Sequence, residues 1–244
     1  MILQSRMGST RLPGKSMMDL AGAPLLGRIL ERVKRTRGID VVVVATTQKP
    51  QDDVLETIGR EYEVEVFRGS ENDLVDRYYQ AAKTFNADLV MRLPADNATP
   101  EPSEIERIIN YHLQSDTVFS SNLTQVFGNR YPDGIGAEIF DFWAFEEIWK
   151  SRSDSYKCEH AHLNFFDYGT QMPADKNRYP VGTVQCPEAF ARPDLVLDVN
   201  TLQQYEFIRA LYEYLYPRNP DFTILEIIHW YDHIHKNGTD VNAR

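Results

Sequence analysis

Hydrophobic positions along the first half of the chain alternate between two periods. Over residues 24–37 the apolar side chains Leu25, Leu26, Ile29, Leu30 and Val33 recur at the three- and four-residue spacing of a helix with one buried face. Residues 41–46 are instead a β-branched run, as expected of a strand covered on both faces in a parallel sheet. The cycle repeats. The pattern predicts helices over residues 52–62, 74–85 and 103–113, and strands over 64–67, 88–93 and 117–120. Residues 2–5 form a short apolar start, followed by a Gly- and Pro-punctuated loop through Lys15. Strands alternating with helices imply right-handed crossovers and a doubly wound open α/β sheet, with the ligand at the carboxyl ends of its strands.

After about residue 122 the rhythm changes. A strand over 131–140 is expected, entered through the turn Pro132-Asp133-Gly134, then helices over 144–150 and 156–167. Residues 170–178 are polar and read as a loop or hairpin tip. Strands follow at 181–186 and 195–199, the second returning to the main sheet, and helices over 202–216 and 224–235 close the chain. The expected organisation is one domain. Residues 1–121 form its regularly alternating half, 122–193 a small insert, 194–235 the return strand and last helices, and 236–244 a frayed tail.

Composition narrows the function classes. The 244 residues are 42% hydrophobic, and the longest purely apolar run, Val41 to Val44, falls far short of the ~20 residues of a membrane span. The N-terminus lacks the apolar core of a secretory signal, so a cytoplasmic location is expected. Cys158 and Cys186 form no CxxC pair, which argues against a disulfide scaffold or a cysteine-rich zinc module. A net charge of −10 repels nucleic acid and anionic membranes. Basic residues nevertheless gather early, at Arg6, Arg11, Lys15, Arg28, Arg32, Lys34, Arg35 and Arg37, which leaves room for a small phosphorylated ligand.

The strongest local signal is Ser5-Arg6-Met7-Gly8-Ser9-Thr10-Arg11-Leu12-Pro13-Gly14-Lys15, directly after the first strand. Glycines that expose backbone amides, hydroxyl donors and three cations without a carboxylate suit a triphosphate. A solvated basic loop would share that composition. The loop is not a Walker A motif, because five residues rather than four separate Gly8 from Gly14. Together with Leu20-Ala21-Gly22-Ala23-Pro24-Leu25 it resembles the signature of the cytidylyltransferases that activate sugar acids as CMP derivatives, such as the CMP-KDO and CMP-sialic acid synthetases. It is most similar to the spore-coat polysaccharide biosynthesis type. The likeness runs in order through Val44-Ala45-Thr46-Thr47, residues 66–78, Arg92-Leu93-Pro94-Ala95-Asp96, Tyr131-Pro132-Asp133-Gly134, Glu159-His160 and Leu197-Asp198-Val199-Asn200.

The resemblance implies a Rossmann-like, GT-A-like nucleotidyltransferase fold with a mostly parallel sheet, residues 1–121 being its nucleotide-binding half and 122–193 an insert for acceptor binding or dimerisation. It also implies magnesium-dependent transfer of CMP from CTP to a sugar-acid or related small acceptor, with release of pyrophosphate, and frequent homodimers. It places phosphate contacts at Arg6, Gly8, Ser9, Thr10, Arg11 and Lys15, the base against Leu3, Gln4 and Ser5, and base or ribose contacts at Arg68, Gly69, Ser70 and Pro94. Asp96 and Asp198 would hold Mg²⁺, with Arg11, Lys15 and Asp96 as the catalytic set, and Asp133, Glu138, Glu159 and His160 would face the acceptor.

Several positions carry a structural alternative. Arg68 could pair with Glu71 or Asp73 to fix its loop, and Asp198 could cap the helix beginning near Thr201, as Asn200 could too. Glu159 and His160 could be buried and hydrogen-bonded instead of meeting substrate. After Asp96 the family usually has Cys-Pro or Glu-Pro, whereas this chain has Asn97-Ala98-Thr99-Pro100. His229 and His233 lie four apart but lack the glutamate of HExxH, and the neighbouring Ile227, Ile228 and Trp230 point to packing. The aromatic cluster on 205–216 reads as core or dimer contact. Two competing functions are a metal-dependent glycosyltransferase, which would want an Asp-x-Asp pair, and a non-catalytic nucleotide-binding homologue.

Overall fold

The structure, a computed structural model, describes residues 1–235; the tail expected at 236–244 lies outside the described residues. The elements are β1 (Ile2–Gln4), a two-stranded hairpin β2 (Asp19–Leu20) and β3 (Ala23–Pro24), α1 (Leu25–Val33), β4 (Val43–Thr47), α2 (Asp53–Glu61), β5 (Glu65–Gly69), α3 (Leu74–Thr84), β6 (Leu89–Pro94), α4 (Pro102–Gln114), β7 (Phe119–Ser121), β8 (Glu138–Asp141), α5 (Phe142–Ser151), α6 (Ser155–Glu159), the hairpin β9 (Phe166–Asp167) and β10 (Met172–Pro173), β11 (Val181–Gly182), α7 (Leu202–Leu215) and α8 (Ile224–Trp230).

Seven strands form one sheet in the order β11-β7-β8-β6-β1-β4-β5. All neighbours run parallel except β8, which is antiparallel to both β6 and β7. The carboxyl ends of β1, β4, β5, β6 and β7 therefore share an edge with the amino end of β8. That is why Glu138, the first residue of β8, stands beside residues that end other strands. Side chains alternate across the sheet as strand geometry demands. Leu3, Val44, Met91 and Leu93 enter the core beneath α1, α2, α4, α7 and α8, while Ile2, Val43, Ala45 and Val90 enter a second core beneath α3 and α5. Two apolar layers on one sheet are the doubly wound arrangement. All five residues of β4 are buried, which accounts for its β-branched composition.

Helix boundaries follow local chemistry. Asp73 caps α3 by accepting from the Asp76 amide at 2.8 Å, and Thr201 and Thr223 open α7 and α8 through capping boxes with Gln204 and Glu226. The aromatic face of α7 packs inward, with Tyr205 and Tyr212 buried.

The second half departs from the periodic reading in four places. Of the strand expected over 131–140 only Glu138–Asp141 pairs in the sheet, because Gly134 takes a φ of 95° and turns the chain away from it. The helix expected over 156–167 stops at His160 and gives way to a 3₁₀ turn and β9. Only two residues of the 181–186 strand pair with β7. Beyond them the Asn129 side chain satisfies the backbone, donating to the Val184 carbonyl at 2.7 Å and accepting from the Cys186 amide at 3.1 Å. Residues 195–199 do not return to the main sheet; they form isolated bridges, Val196 with Asp133 and Asp198 with Asn97.

Candidate active site

The shared strand edge opens into a cleft of about 450 Å³. Its floor is built by strand ends and its rim by the basic loop. Asp52, fully buried at the start of α2, accepts from the Met7 amide at 2.7 Å and from the Thr47 hydroxyl, which ties the loop to the end of β4. Gly14, with a φ of 73°, then starts the 3₁₀ turn that carries Lys15 back toward the floor.

Lys15 is the hub of the phosphate-side cluster. Its Nζ donates to Asp96 Oδ2 at 3.1 Å, to the Val199 carbonyl at 2.7 Å and to Asn200 Oδ1 at 3.3 Å. Arg11 Nη2 donates to the same Asn200 oxygen at 2.6 Å. Asp96 sits where β6 ends, and the backbone pairs 96–98 with 197–199 through Val199 N to Asp96 O at 2.8 Å and Ala98 N to Leu197 O at 3.2 Å. This short antiparallel ladder sets Asn97 opposite Asp198, so residues remote in sequence meet at one point. Asp198 does not cap α7, a role taken by Thr201. Its carboxylate accepts from Asn200 Nδ2 and, at 3.2 Å, from Gln204 Nε2. Gly134 presses against the backbone of Leu197 and Asp198, where a Cβ would stand 3.1 Å from the Leu197 carbonyl carbon, and so brings Asp133 into the same group.

Asp96, Asp133 and Asp198 thus lie close enough to act on one another's charge, with the Lys15 ammonium bonded to Asp96. Burial and then the charges of Asp198 and Asp96 push the Asp133 carboxyl up to about 6, and burial with the charge of Asp96 raises Asp198 as well. Such a site favours additional positive charge. Its hard oxygen donors fit magnesium, which takes one or two carboxylates and completes its shell with waters and phosphate oxygens. Among the described residues no group of three or more His, Cys, Asp or Glu side chains is placed to hold a metal ion between them.

The other end of the cleft has a different character. Glu138, fully buried, accepts from Arg92 Nη1 at 2.6 Å and from the Tyr168 hydroxyl at 2.7 Å, while Arg92 Nε donates to Gln4 Oε1 at 3.1 Å. Burial alone would lower the Arg92 pKa, but the adjacent Glu138 carboxylate outweighs it and keeps the guanidinium charged.

Of the residues expected in the site, Gln4, Ser5, Arg6, Ser9, Thr10, Arg11, Lys15, Pro94, Asp96, Asp133, Glu138, Glu159, His160 and Asp198 line this one cleft. Leu3, Gly8, Arg68, Gly69 and Ser70 are not among its lining residues. Leu3 is a core residue with no exposed surface. Arg68 binds Asp53 Oδ1 at 2.6 Å, Glu56 Oε2 at 3.3 Å and the Thr47 and Lys49 carbonyls, so it clamps α2 to β4, with partners other than Glu71 or Asp73. Glu138 lines the cleft with one oxygen bonded to Arg92 and the other to Tyr168. Glu159 is largely exposed and stands 3.8 Å from Arg6. Sequence reasoning missed Arg77, Arg92, Thr124, His162 and Tyr168 as cleft residues.

Comparisons with known proteins identify the family and its fold. The family profile described as cytidylyltransferase matches residues 1–213. The spore coat polysaccharide biosynthesis protein SpsF of Bacillus subtilis is 32% identical over 233 residues, covering 93% of this chain and 91% of that one. A 3-deoxy-manno-octulosonate cytidylyltransferase of Anaeromyxobacter dehalogenans is 36% identical over 110 residues, 44% of each chain. Among solved structures, a cytidylyltransferase from Leptospira borgpetersenii superposes with a TM-score of 0.83 at 28% identity, covering 98% of this chain and 94% of that one. With a matched profile over most of its length and a basic loop and carboxylates meeting in one cleft, this chain is a nucleotidyltransferase and belongs to the cytidylyltransferase family.

Proposed function

We propose that the cleft binds CTP with magnesium and transfers its cytidylyl group to an oxygen of a small sugar-acid-type acceptor, releasing pyrophosphate, in the synthesis of a cell-surface polysaccharide. The observation that carries this reading is the meeting of Lys15 with Asp96 and the 198–200 segment at the carboxyl edge of β1 and β6. Full-length similarity to a spore coat polysaccharide biosynthesis protein and partial similarity to 3-deoxy-manno-octulosonate cytidylyltransferases support the acceptor class.

The acceptor oxygen forms a bond to the α-phosphorus as the bond to the bridging oxygen of pyrophosphate breaks, and catalysis is mostly positioning and charge neutralisation. Arg6, Ser9, Thr10 and Arg11 hold the phosphates from the loop. Lys15 exchanges its contact with the Val199 carbonyl for phosphate oxygens and stabilises charge building on the leaving pyrophosphate. Asp96 and Asp198 would hold magnesium, which would supply Lewis-acid stabilisation of the charge on the phosphate oxygens. Asp133, Glu138, Glu159 and His160, which line the same cleft, are assigned to the acceptor.

Thermal unfolding with each of the four ribonucleoside triphosphates, with and without Mg²⁺, tests the donor, because ligand binding raises stability by RT ln(1 + [L]/Kd). A magnesium-dependent rise unique to CTP is expected. A rise with a different triphosphate alone would overturn the cytidylyl assignment.

A further inference from the structure

Three charged residues that line the cleft converge on a side chain that does not line it. Behind Arg11, Lys15 and Asp198 stands Asn200, half-buried just before α7. Its amide oxygen accepts from Arg11 Nη2 at 2.6 Å and from Lys15 Nζ at 3.3 Å, and its Nδ2 donates to Asp198 Oδ2. The two cations can only donate and an ionised carboxylate can only accept, so all three contacts demand the same orientation of the amide. A flip would break every one of them.

The amide is also held through its own backbone. The Asn200 N–H donates to Gln204 Oε1 at 2.9 Å, and Gln204 Nε2 donates to Asp198 Oδ1 at 3.2 Å. Gln204 is the capping-box residue of α7, so Asn200 and the carboxylate of Asp198 are both anchored to the amino end of that helix. Each oxygen of Asp198 takes one neutral amide donor and keeps lone-pair capacity for a cation.

We propose that Asn200 is a positioning residue of the cleft: its amide oxygen gathers Arg11 and Lys15, its amide nitrogen orients Asp198, and it does both without carrying charge. The inference rests on the reading of the cleft as a CTP and magnesium site and adds the residue that couples the cationic side of that site to the anionic one.

Neutrality decides the choice of side chain. A carboxylate at position 200 would also accept from Arg11 and Lys15, but as an ion pair that incoming phosphates must break. It would also set a further negative charge against Asp198 and remove the donor that Asp198 now receives. An apolar side chain would leave the two cations without this shared acceptor and Asp198 with one amide donor instead of two. Of the three, only the amide serves both sides. When triphosphate arrives, Arg11 and Lys15 trade a neutral oxygen for charged ones, and the orientation of Asp198 is kept by Asn200 Nδ2 and Gln204.

The test uses the full chain, Asn200→Ala and Asn200→Asp, with thermal midpoints as the check on folding. Dissociation constants for CTP are measured by calorimetry with Mg²⁺ and again in EDTA, taking CTP to millimolar concentration where needed. The ratio of the two constants reports how much magnesium contributes to binding. In Asn200→Ala one of the two donors that orient Asp198 is lost, and the magnesium contribution should fall about tenfold, as when an outer-shell partner of a metal ligand is removed. In Asn200→Asp the added charge competes with phosphate for Arg11 and Lys15. Binding in EDTA should then weaken at least about tenfold, while magnesium neutralises part of that charge and recovers most of the loss. The magnesium contribution therefore moves in opposite directions in the two variants. A residue that only shapes the turn before α7 would change both constants together, so a ratio unchanged in both variants, or moving the same way in both, would overturn the proposal. So would an Asn200→Asp protein that binds CTP in EDTA as tightly as the unaltered chain. Failure of the unaltered protein to bind CTP even with magnesium would instead remove the reading of the cleft as a nucleotide site, and the role of Asn200 with it.

Discussion

The two ends of the cleft handle charge in opposite ways. At one end Asp96, Asp133 and Asp198 are grouped, with the Lys15 ammonium bonded to Asp96, and both Asp133 and Asp198 resist ionisation. At the other, Arg92 and Glu138 are buried as a matched pair, with the remaining oxygen of Glu138 taken by Tyr168. An under-neutralised, partly solvated cluster is unfavourable until cations and phosphates complete it. A matched and fully hydrogen-bonded pair is complete before any ligand arrives. The first end is built to respond to ligand and the second to keep its shape. Substitutions at the two ends should accordingly fail in different ways.

The largest effect is expected at the responsive end. Lys15→Ala removes the ammonium that would meet the leaving pyrophosphate, and Asp96→Asn removes a proposed metal ligand. Each should lower the rate of pyrophosphate release by on the order of 10²–10³-fold while leaving the far-ultraviolet circular dichroism unchanged. Retention of most activity in either variant would remove these residues from the catalytic set.

At the rigid end the loss should appear in stability. Glu138→Ala leaves the Arg92 guanidinium buried without its counter-charge and should cost about 3–5 kcal/mol, seen as a lower thermal midpoint. The double variant Arg92→Met with Glu138→Leu should lose far less, because no unpaired charge remains. If the single and double variants were equally destabilised, the pair would be acting through packing and the contrast between the two ends would fail.

Asp133 tests the responsive end from the opposite direction. Its carboxyl titrates near 6 in the folded chain against an ordinary value of 3.8, so the folded state holds its proton more tightly than the unfolded state. The cost of ionising it is absent below about pH 4 and grows as pH rises through 6. In metal-free buffer, Asp133→Asn should therefore stabilise the protein by about 1–3 kcal/mol at pH 7–8 and by nothing near pH 4. A thermal midpoint difference that does not depend on pH would show that Asp133 is not strained by its neighbours.

The contrast between the two ends also tracks how legible each was in the sequence. Arg11 and Lys15 lie in the loop that follows β1, and Asp96 just past the end of β6, all in the periodic first half, so their placement near a strand edge follows from the pattern. The pattern puts Asp198 at the end of a strand returning to the main sheet beside Asp96, with its metal role taken from the family resemblance, whereas the structure brings the two together through an isolated antiparallel bridge. Its segment has the composition of a strand, yet its backbone partners are the two short stretches at Asp133 and Asn97, and no local pattern announces a bridge of that length. The rigid end was hidden for a related reason. Arg92 interrupts an otherwise apolar strand, a visible anomaly, but its partner lies 46 residues away, and the antiparallel register that places Arg92 opposite Glu138 is set by tertiary packing. Tyr168 and His162 were obscured because the chain abandons a helical pattern at His160.

Arg68 lies beyond both ends and should show the smallest effect. The family resemblance gives it to base or ribose recognition, but its guanidinium is committed to Asp53, Glu56 and two carbonyls, and it does not line the cleft. These partners are partly solvent-exposed, so their loss is screened by water and should cost only about 1 kcal/mol. Arg68→Ala should also leave kcat/KM for CTP within about threefold of the unaltered enzyme, since no transition-state contact is removed. A larger fall in kcat/KM with an unchanged thermal midpoint would mean that Arg68 leaves its clamp when nucleotide binds, and the cleft would then have to be extended toward the end of β5.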